Sequence, residues 1–154
     1  MSEKSVTFYV VESEFWPVAY RAIEKMYAIG ENALFLCDSD EEIGFYNAKL
    51  WTFSRLAFIP SGNKMTLPCE DAPFCHTWFA TEIVYFNNPI CLLHNGLDAV
   101  RSNDISKFHR VIDIFGPSAM QAANGRAEFY KRSGFHTQKV WIRKCNSWES
   151  GKLS

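Results

Sequence analysis

Short apolar runs of strand length alternate along this chain with segments whose apolar residues recur at helical spacing. Residues 6–11 and 33–37 have the pattern of buried strands, and a helical pattern over 17–29 separates them. Further strand-like runs at 90–93 and 109–115 precede a last helix. Strands that alternate with helices of this length predict a three-layer α/β/α domain. Its sheet is expected to be open, mainly parallel and Rossmann-like.

The chain has 154 residues, which is the length of one domain. We predict a single α/β domain over 1–145, a flexible C-terminal tail over 146–154, a loop over 61–73 and an edge strand over 137–143. There is no signal-peptide pattern, and no apolar stretch approaches the roughly 20 residues that cross a bilayer. The five cysteines are odd in number and lie partly in apolar runs, as reduced thiols do. A cytoplasmic location is therefore expected.

The sequence lacks the motifs on which nucleotide-binding and hydrolytic folds commonly depend. It has no GxGxxG or GxxxxGK[ST] loop, and the first strand-to-helix turn, 12–15, carries two carboxylates that would repel a phosphate. It has no GxSxG elbow, and Cys69 and Cys75 lack the spacing and the second ligand pair of a structural zinc site. Cys75 and His76 are adjacent, so on a strand they would point to opposite faces. We therefore expect no catalysis by this chain, no cofactor and no metal.

An apolar segment over residues 49–60 is the first candidate surface. The end of an amphipathic helix can bury part of it, and the remainder would form an exposed patch of the kind that marks interaction sites. Plain core packing is the other interpretation, because aromatic residues at helical spacing are commonly core residues. The residues alone leave both interpretations open. The apolar residues of this segment are Leu50, Trp51, Phe53, Leu56, Phe58 and Ile59.

The second candidate surface is the basic last helix with the strand that follows it. Residues 1–100 carry 6 Lys/Arg and 13 Asp/Glu, whereas residues 101–154 carry 10 and 4, so the C-terminal part is basic although the net charge is −1. Such a surface suits a peptide with acidic and apolar groups, or the backbone of a nucleic acid. A solvated basic face is the alternative. The candidate binding residues are Arg126, Phe129, Tyr130, Lys131 and Arg132.

Several segments occur in the order that is typical of one protein family. The most telling are the Leu50-Trp51 pair followed by Phe58, and the Glu-Asp-Ala-Pro turn at 70–73. On these segments the chain resembles the chi subunit of the bacterial DNA polymerase III holoenzyme, over roughly residues 6–136. The other shared segments are 6–10, 23–30, 33–37, 58–60, 108–114 and 129–135, together with Trp78.

The resemblance implies a non-catalytic accessory subunit of a DNA-directed DNA polymerase complex, with a Rossmann-like fold that has no nucleotide-binding loop. It implies that Trp51 and Phe58 contact the psi subunit, which connects chi to the clamp loader, or a helicase that uses the same surface. It also implies that the last helix binds the acidic, Phe-terminated tail of single-stranded-DNA-binding protein, through basic side chains and an apolar pocket. Contact with single-stranded DNA would then be indirect, and no membrane would be involved.

The last helix departs from the family pattern. Where the family usually has a basic, an aromatic and a second basic residue, this chain has Asn124, Ala127 and Glu128. The loss of two cations and a ring, with a carboxylate added, is expected to weaken binding of an acidic tail by a few kcal/mol. Nearby cations such as Lys139 and Arg143 are the residues that would compensate.

Two alternative functions stay open on the sequence. One is a stand-alone α/β enzyme that binds a small molecule or a nucleotide. The other is a protein that binds single-stranded DNA directly, through Tyr130, Trp141 and the basic strand. Thermal shift with nucleotides would identify the first, because a ligand at 100 times its dissociation constant adds about 2.7 kcal/mol of stability. A steep salt dependence with bare oligonucleotide would identify the second.

Overall fold

The computed structural model describes residues 3–12, 14–53, 59–145 and 147–153. Within this part of the chain, eight strands form one sheet in the order β3-β4-β2-β5-β6-β1-β7-β8. The strands are β1 (Ser5–Val10), β2 (Ala33–Leu36), β3 (Ser61–Asn63), β4 (Thr77–Ala80), β5 (Cys91–His94), β6 (Arg110–Phe115), β7 (Thr137–Lys144) and β8 (Ser147–Ser150). The pairs from β3 to β7 are parallel, and β8 pairs antiparallel with β7.

In the same described ranges, three α-helices connect and cover these strands. They are α1 (Phe15–Ala28), α2 (Asp40–Phe53) and α3 (Met120–Arg132), and single 3₁₀ turns lie at Cys69–Phe74, Asp98–Ser102 and Pro117–Ala119. The predicted three-layer α/β fold with an open, mainly parallel sheet is confirmed. None of the helices in the described ranges is both long enough and apolar enough to cross a lipid bilayer.

The helices are divided between the two faces of the sheet. Along β1 the side chains alternate, so that Val6 and Phe8 belong to one apolar cluster and Tyr9 packs against the other. The first cluster also contains residues of α3 and of the first two 3₁₀ turns, and the second contains residues of α1 and α2. Thus α1 and α2 cover one face of the sheet, and α3 covers the opposite face.

Two strands lie where the sequence predicted other structure. β3 lies within the predicted loop 61–73 and extends the sheet beyond β4. β8 lies within the predicted tail 146–154, so the predicted edge strand, which is β7, has neighbours on both sides. Leu153 continues from β8 and is buried in the cluster beneath α3. The physical reason is that backbone hydrogen bonds to a neighbouring strand can hold a segment in the sheet even when most of its side chains are polar and do not favour a strand.

Candidate partner-binding surfaces

The start of α2 is fixed by reciprocal hydrogen bonds of its backbone and side chains. The Glu42 N–H donates to Ser39 Oγ at 3.2 Å, and the Asp38 N–H donates to Glu42 Oε1 at 3.0 Å. Asp40, Glu41 and Glu42 place carboxylates in the first turn, at the positive end of the helix dipole. These contacts set the rotation of α2 about its axis, and therefore which residues face the sheet.

The inner face of α2 is formed by residues at positions i, i+4 and i+7. Ile43, Asn47 and Leu50 are buried there. Asn47 donates to Ser61 Oγ at 2.8 Å and accepts from Asn63 Nδ2 at 2.6 Å, so α2 is tied by side chains to the edge strand β3. The opposite face of α2 is consequently turned to solvent.

That outer face carries two exposed aromatic rings beside the exposed polar residues Glu41, Lys49 and Thr52. Trp51 is 60 % exposed and Phe45 is 55 % exposed. Between them around the helix lie Gly44 and Ala48, and a Cβ added at Gly44 would meet nothing within 4 Å. Lys49 Nζ lies 5.4 Å from the centre of the Phe45 ring. We name Gly44, Phe45, Ala48 and Trp51 the α2 face: two rings that border a shallow strip of small residues.

The predicted apolar segment 49–60 is divided between core and surface. Leu50 is 2 % exposed and Ile59 is also buried, so these two residues support the α2 face from beneath and do not present surface to a partner. Phe53 is the last residue of α2. Phe58 lies outside the described residues. Leu56 lies outside them too, so Trp51 is the one of the six apolar residues of this segment whose side chain is described as exposed.

The predicted basic surface of α3 is divided in the same way. Lys131 and Arg132 are exposed and Phe129 is half-buried. Arg126 is 1 % exposed and Tyr130 is fully buried, because both point toward the sheet and meet polar partners there. The sequence led us to expect Arg126 and Tyr130 on an open surface, but in the structure both are buried.

Arg126 and Tyr130 belong to a buried polar network between α3 and the ends of β5 and β6. Arg126 Nε donates to Asp113 Oδ2 at 2.7 Å, and its Nη2 donates to Oδ1 at 3.1 Å. Tyr130 Oη donates to Asp113 Oδ2 at 2.8 Å and lies 2.8 Å from His94 Nε2. Arg126 Nη1 reaches outward to Asp98 at 2.7 Å. We name His94, Asp98, Asp113, Arg126 and Tyr130 the Asp113 network.

The electrostatics of the Asp113 network favour one fixed set of protonation states. His94 Nδ1 accepts from the Leu97 N–H at 3.0 Å, so His94 Nε2 carries the proton and donates to Tyr130. Burial lowers the pKa of His94, with partial opposition from the Asp113 carboxylate, and burial together with Asp113 raises the pKa of Tyr130 well above its usual value. Burial alone would lower the pKa of Arg126, but the Asp113 charge and hydrogen bonds outweigh it and raise that pKa.

A His, a Tyr, an Asp and an Arg in mutual hydrogen bonding are also what an acid–base site would use. Here, however, His94, Asp113, Arg126 and Tyr130 are each at most 1 % exposed. Their mutual hydrogen bonds occupy the reactive atoms, and Asp98 is the member whose carboxylate reaches solvent. The network therefore has the features of a structural hydrogen-bond network that fixes α3 on the sheet.

The C-terminal segment packs beside the positions at which α3 departs from the family pattern. Asn124 Nδ2 donates to the Leu153 carbonyl at 3.4 Å, and Leu153 shares an apolar cluster with Ala123 and Ala127. Glu128 is exposed. Part of the α3 surface near Asn124 and Ala127 is thus covered by the chain's own last residues.

Three of the five thiols, those of Cys37, Cys75 and Cys91, are buried as core residues are, whereas those of Cys69 and Cys145 are exposed. Burial raises the pKa of Cys91 to about 12 and raises the pKa values of Cys37 and Cys75, which disfavours the nucleophilic thiolate. The His76 ring is held by the Glu31 carbonyl and by Thr77 Oγ1. Within the described ranges, no group of three or more His, Cys, Asp or Glu residues is arranged to hold a metal ion.

Sequence reasoning missed two features of these surfaces. Phe45 was not identified, although the inward positions Ile43, Asn47 and Leu50 imply that it faces outward. The Asp113 network was not identified because its members come together only through the pairing of β5 with β6, in which His94 lies beside Asp113.

One comparison with known proteins identifies a family. A family model described as DNA polymerase III chi subunit, HolC, matches residues 3–138. The match covers the sheet from β1 to the start of β7, all three helices, the α2 face and the Asp113 network. It leaves out most of β7 and all of β8. No curated protein matches the chain.

Proposed function

The chain belongs to the DNA polymerase III chi subunit family, and on that premise we propose that it is a non-catalytic adaptor in DNA replication. In this role it links the clamp loader, through the psi subunit, to the acidic C-terminal tail of single-stranded-DNA-binding protein. A helicase that recognises the same face as psi would be an alternative partner. Such a role implies that the protein acts in the cytoplasm.

The observation that carries the proposal is the exposure of Trp51 near the C-terminal end of α2, directly after the buried Leu50. An indole that is 60 % exposed costs solvation free energy unless a partner covers it. Phe45, Gly44 and Ala48 extend the same apolar surface along α2. Aromatic anchors of this kind dominate the energetics of many interfaces. We assign psi binding to the α2 face, with Trp51 as its principal contact.

This assignment is tested by titrating the psi subunit of the same organism into purified protein. Trp51→Ala is expected to weaken psi binding by about 30-fold or more, the loss typical of a central aromatic contact. Phe74→Ala is the matched control, because Phe74 is 80 % exposed but lies on a 3₁₀ turn of the opposite sheet face. Equal affinity of Trp51→Ala and wild type, with both folded, would show that the α2 face is not the psi contact.

Tail binding is assigned to the exposed end of α3. Lys131 and Arg132 supply positive charge in its last turn, and Phe129 is a half-buried ring beside them. Arg126 contributes little charge to an acidic ligand, because Asp113 and Asp98 already neutralise it. With the Leu153 segment beside Asn124, we expect the tail to bind around Phe129, Lys131 and Arg132 with a modest affinity.

The tail assignment is tested with the acidic C-terminal peptide of single-stranded-DNA-binding protein, with and without its terminal Phe. Binding is expected to require that Phe, to weaken with salt, and to fall by about tenfold in a Lys131→Ala/Arg132→Ala variant. Lys64→Ala is the control, since Lys64 pairs with Asp40 on the other face of the sheet. An equal loss in the control, or no binding at millimolar peptide, would contradict the assignment.

A further inference from the structure

A cleft of about 690 Å³ lies between α1 and the hairpin of β7 and β8. Its α1 side lies within the residues that match the family model, whereas Trp141, Arg143 and Trp148, which the hairpin contributes, follow them. It opens on the face of the sheet that carries α1 and α2, whereas α3 lies on the other face. Its volume is within the range of sites that bind small organic groups. The lining residues that carry the argument are Tyr9, Trp141, Trp148, Arg21, Lys25 and Arg143.

The aromatic residues of the cleft form a supported platform. Tyr9 is paired in register with Trp141 on neighbouring strands, and its ring meets Trp148 edge to face at 5.3 Å between ring centres. Arg143 is paired in register with Trp148, and its guanidinium lies 5.3 Å from the centre of that ring. Trp141 and Trp148 are each half-buried. The indoles are therefore held by their neighbours and still present surface to the cleft.

The charge of the cleft is positive. Arg21 and Lys25 lie one turn apart on α1, and Arg143 faces them from β7. Among the described residues none of these three cations forms an ion pair, whereas Lys144 on the other face of the hairpin pairs with Glu149 at 3.4 Å. Glu14 is the carboxylate among the lining residues. Three cations against one carboxylate give the cleft a net charge of +2.

We infer that this cleft binds single-stranded nucleic acid directly. Bases stack on the Trp141 and Trp148 indoles, and the phosphates lie against Arg21, Lys25 and Arg143. Aromatic side chains beside unpaired cations in an open groove are what sequence-tolerant binding of a single strand requires, because every base has a π-face and every nucleotide a charge. The cleft offers three rings on three neighbouring strands, Tyr9, Trp141 and Trp148, which suits successive bases of a strand.

The inferred site differs from the one that the sequence suggested for direct DNA binding. Tyr130 is fully buried in the Asp113 network, so its ring cannot stack on a base. Trp141 belongs to both sites, but in the inferred site the other aromatic residues are Tyr9 and Trp148 instead of Tyr130. The C-terminal hairpin therefore supplies a surface that the predicted tail did not suggest.

The experiment measures binding of a fluorescent 12-residue oligothymidylate to the full chain by anisotropy, as a function of salt. Three contacted phosphates predict a slope of log K against log salt of about −2, and Arg21→Gln is expected to reduce that slope by about 0.7. Glu14→Gln is expected to tighten binding, a change that damage to the fold would not produce. Lys64→Gln, which removes a cation beside β3 at the opposite edge of the sheet, is the matched control and is expected to change neither slope nor affinity.

Two further ligands test the identity of the occupant without altering the protein. An abasic strand of the same length keeps the phosphates but loses the bases, and it is expected to bind about tenfold more weakly. A glutamate-rich peptide of equal charge is expected to compete poorly. The inference is overturned if the oligonucleotide fails to bind, or if Lys64→Gln weakens binding as much as Arg21→Gln. It is also overturned if the abasic strand or the peptide binds as well as the oligonucleotide, or if free thymidylate competes equally per nucleotide.

Discussion

The outer face of α2 and the inner face of α3 reverse the usual distribution of residue types. On α2, Trp51 and Phe45 are large apolar side chains that are more than half exposed. On α3, Arg126 is a cation that is 1 % exposed. The surroundings of these side chains differ as well: Trp51 and Phe45 lie at the surface, whereas the guanidinium on α3 already has two carboxylates within the protein.

The two helices show that residue type alone does not identify a binding surface. Arg126 and Arg132 are both arginines of α3, but the hydrogen bonds to Asp113 on β6 make Arg126 an internal residue. Leu50 and Trp51 are adjacent and both apolar, but the period of α2 turns one inward and the other outward. Whether a side chain is internal or exposed depends on the groups that it contacts within the fold.

The largest effect is expected where the internal pairing of α3 is broken. Asp113→Asn removes the charge that compensates Arg126 and is expected to lower the free energy of unfolding by about 3–5 kcal/mol. Glu128→Gln, on the exposed side of the same helix, is the control and is expected to stay within about 0.5 kcal/mol of wild type. Urea denaturation measures both. A similar small effect for the two variants would mean that the Asp113 network does not fix α3.

The adjacent pair on α2 provides the next test. Leu50→Ala is expected to cost about 2–5 kcal/mol of stability, because it opens a cavity in the core. Trp51→Ala is expected to cost less than about 1 kcal/mol, because most of the indole is exposed in the free protein. Thermal and urea unfolding distinguish them. If Trp51→Ala is destabilised as strongly as Leu50→Ala, the indole is a core residue and the α2 face loses its principal contact.

The stability of the protein is expected to fall in mild acid. Burial lowers the pKa of His94 and of His76 in the folded state, so below about pH 6.5 the unfolded chain takes up protons that the folded chain does not. The stabilising contribution is present above that pH and is lost as pH falls toward the folded-state pKa, at up to about 1.4 kcal/mol per pH unit for each histidine. His94→Gln should reduce the slope between pH 7 and 5, and an unchanged slope would contradict the neutral, buried His94.

The smallest effect is expected at the exposed end of α3. Lys131→Ala removes a cation from the last turn of a helix and is expected to cost less than about 1 kcal/mol, chiefly through the helix dipole. Chemical denaturation at low and high salt measures this effect, which should shrink at high salt. A loss comparable with that of Asp113→Asn would show that Lys131 is structural, as Arg126 is.

Much of the fold was predictable because its central strands are apolar runs. Residues 6–11, 33–37 and 109–115 each contain a strand that has neighbours on both sides, and burial on both faces leaves a continuous apolar pattern. β3 and β8 were missed because Ser61–Asn63 has only polar or small residues and Ser147–Ser150 has one apolar residue, Trp148, among polar ones. Their pairing depends on the exposed edges of β4 and β7, which no local pattern records.

The exposure of a candidate residue was predictable only where the period of its own helix determines it. The exposure of Trp51 follows from the period of α2, and the same period would have revealed Phe45. The burial of Arg126 depends on Asp113, which is held opposite α3 by the sheet. The cleft of Trp141 and Trp148 likewise depends on a hairpin that the sequence did not predict.

We propose that this chain binds two partners at once, on opposite faces of its sheet. One titration tests this proposal most directly. The acidic tail peptide of single-stranded-DNA-binding protein is titrated into the free protein and into protein saturated with psi. Because the α2 face and the end of α3 share no residues, the dissociation constant is expected to agree within about twofold in the two titrations, with psi retained. Displacement of psi by the peptide, or loss of peptide binding in the psi complex, would contradict the adaptor role.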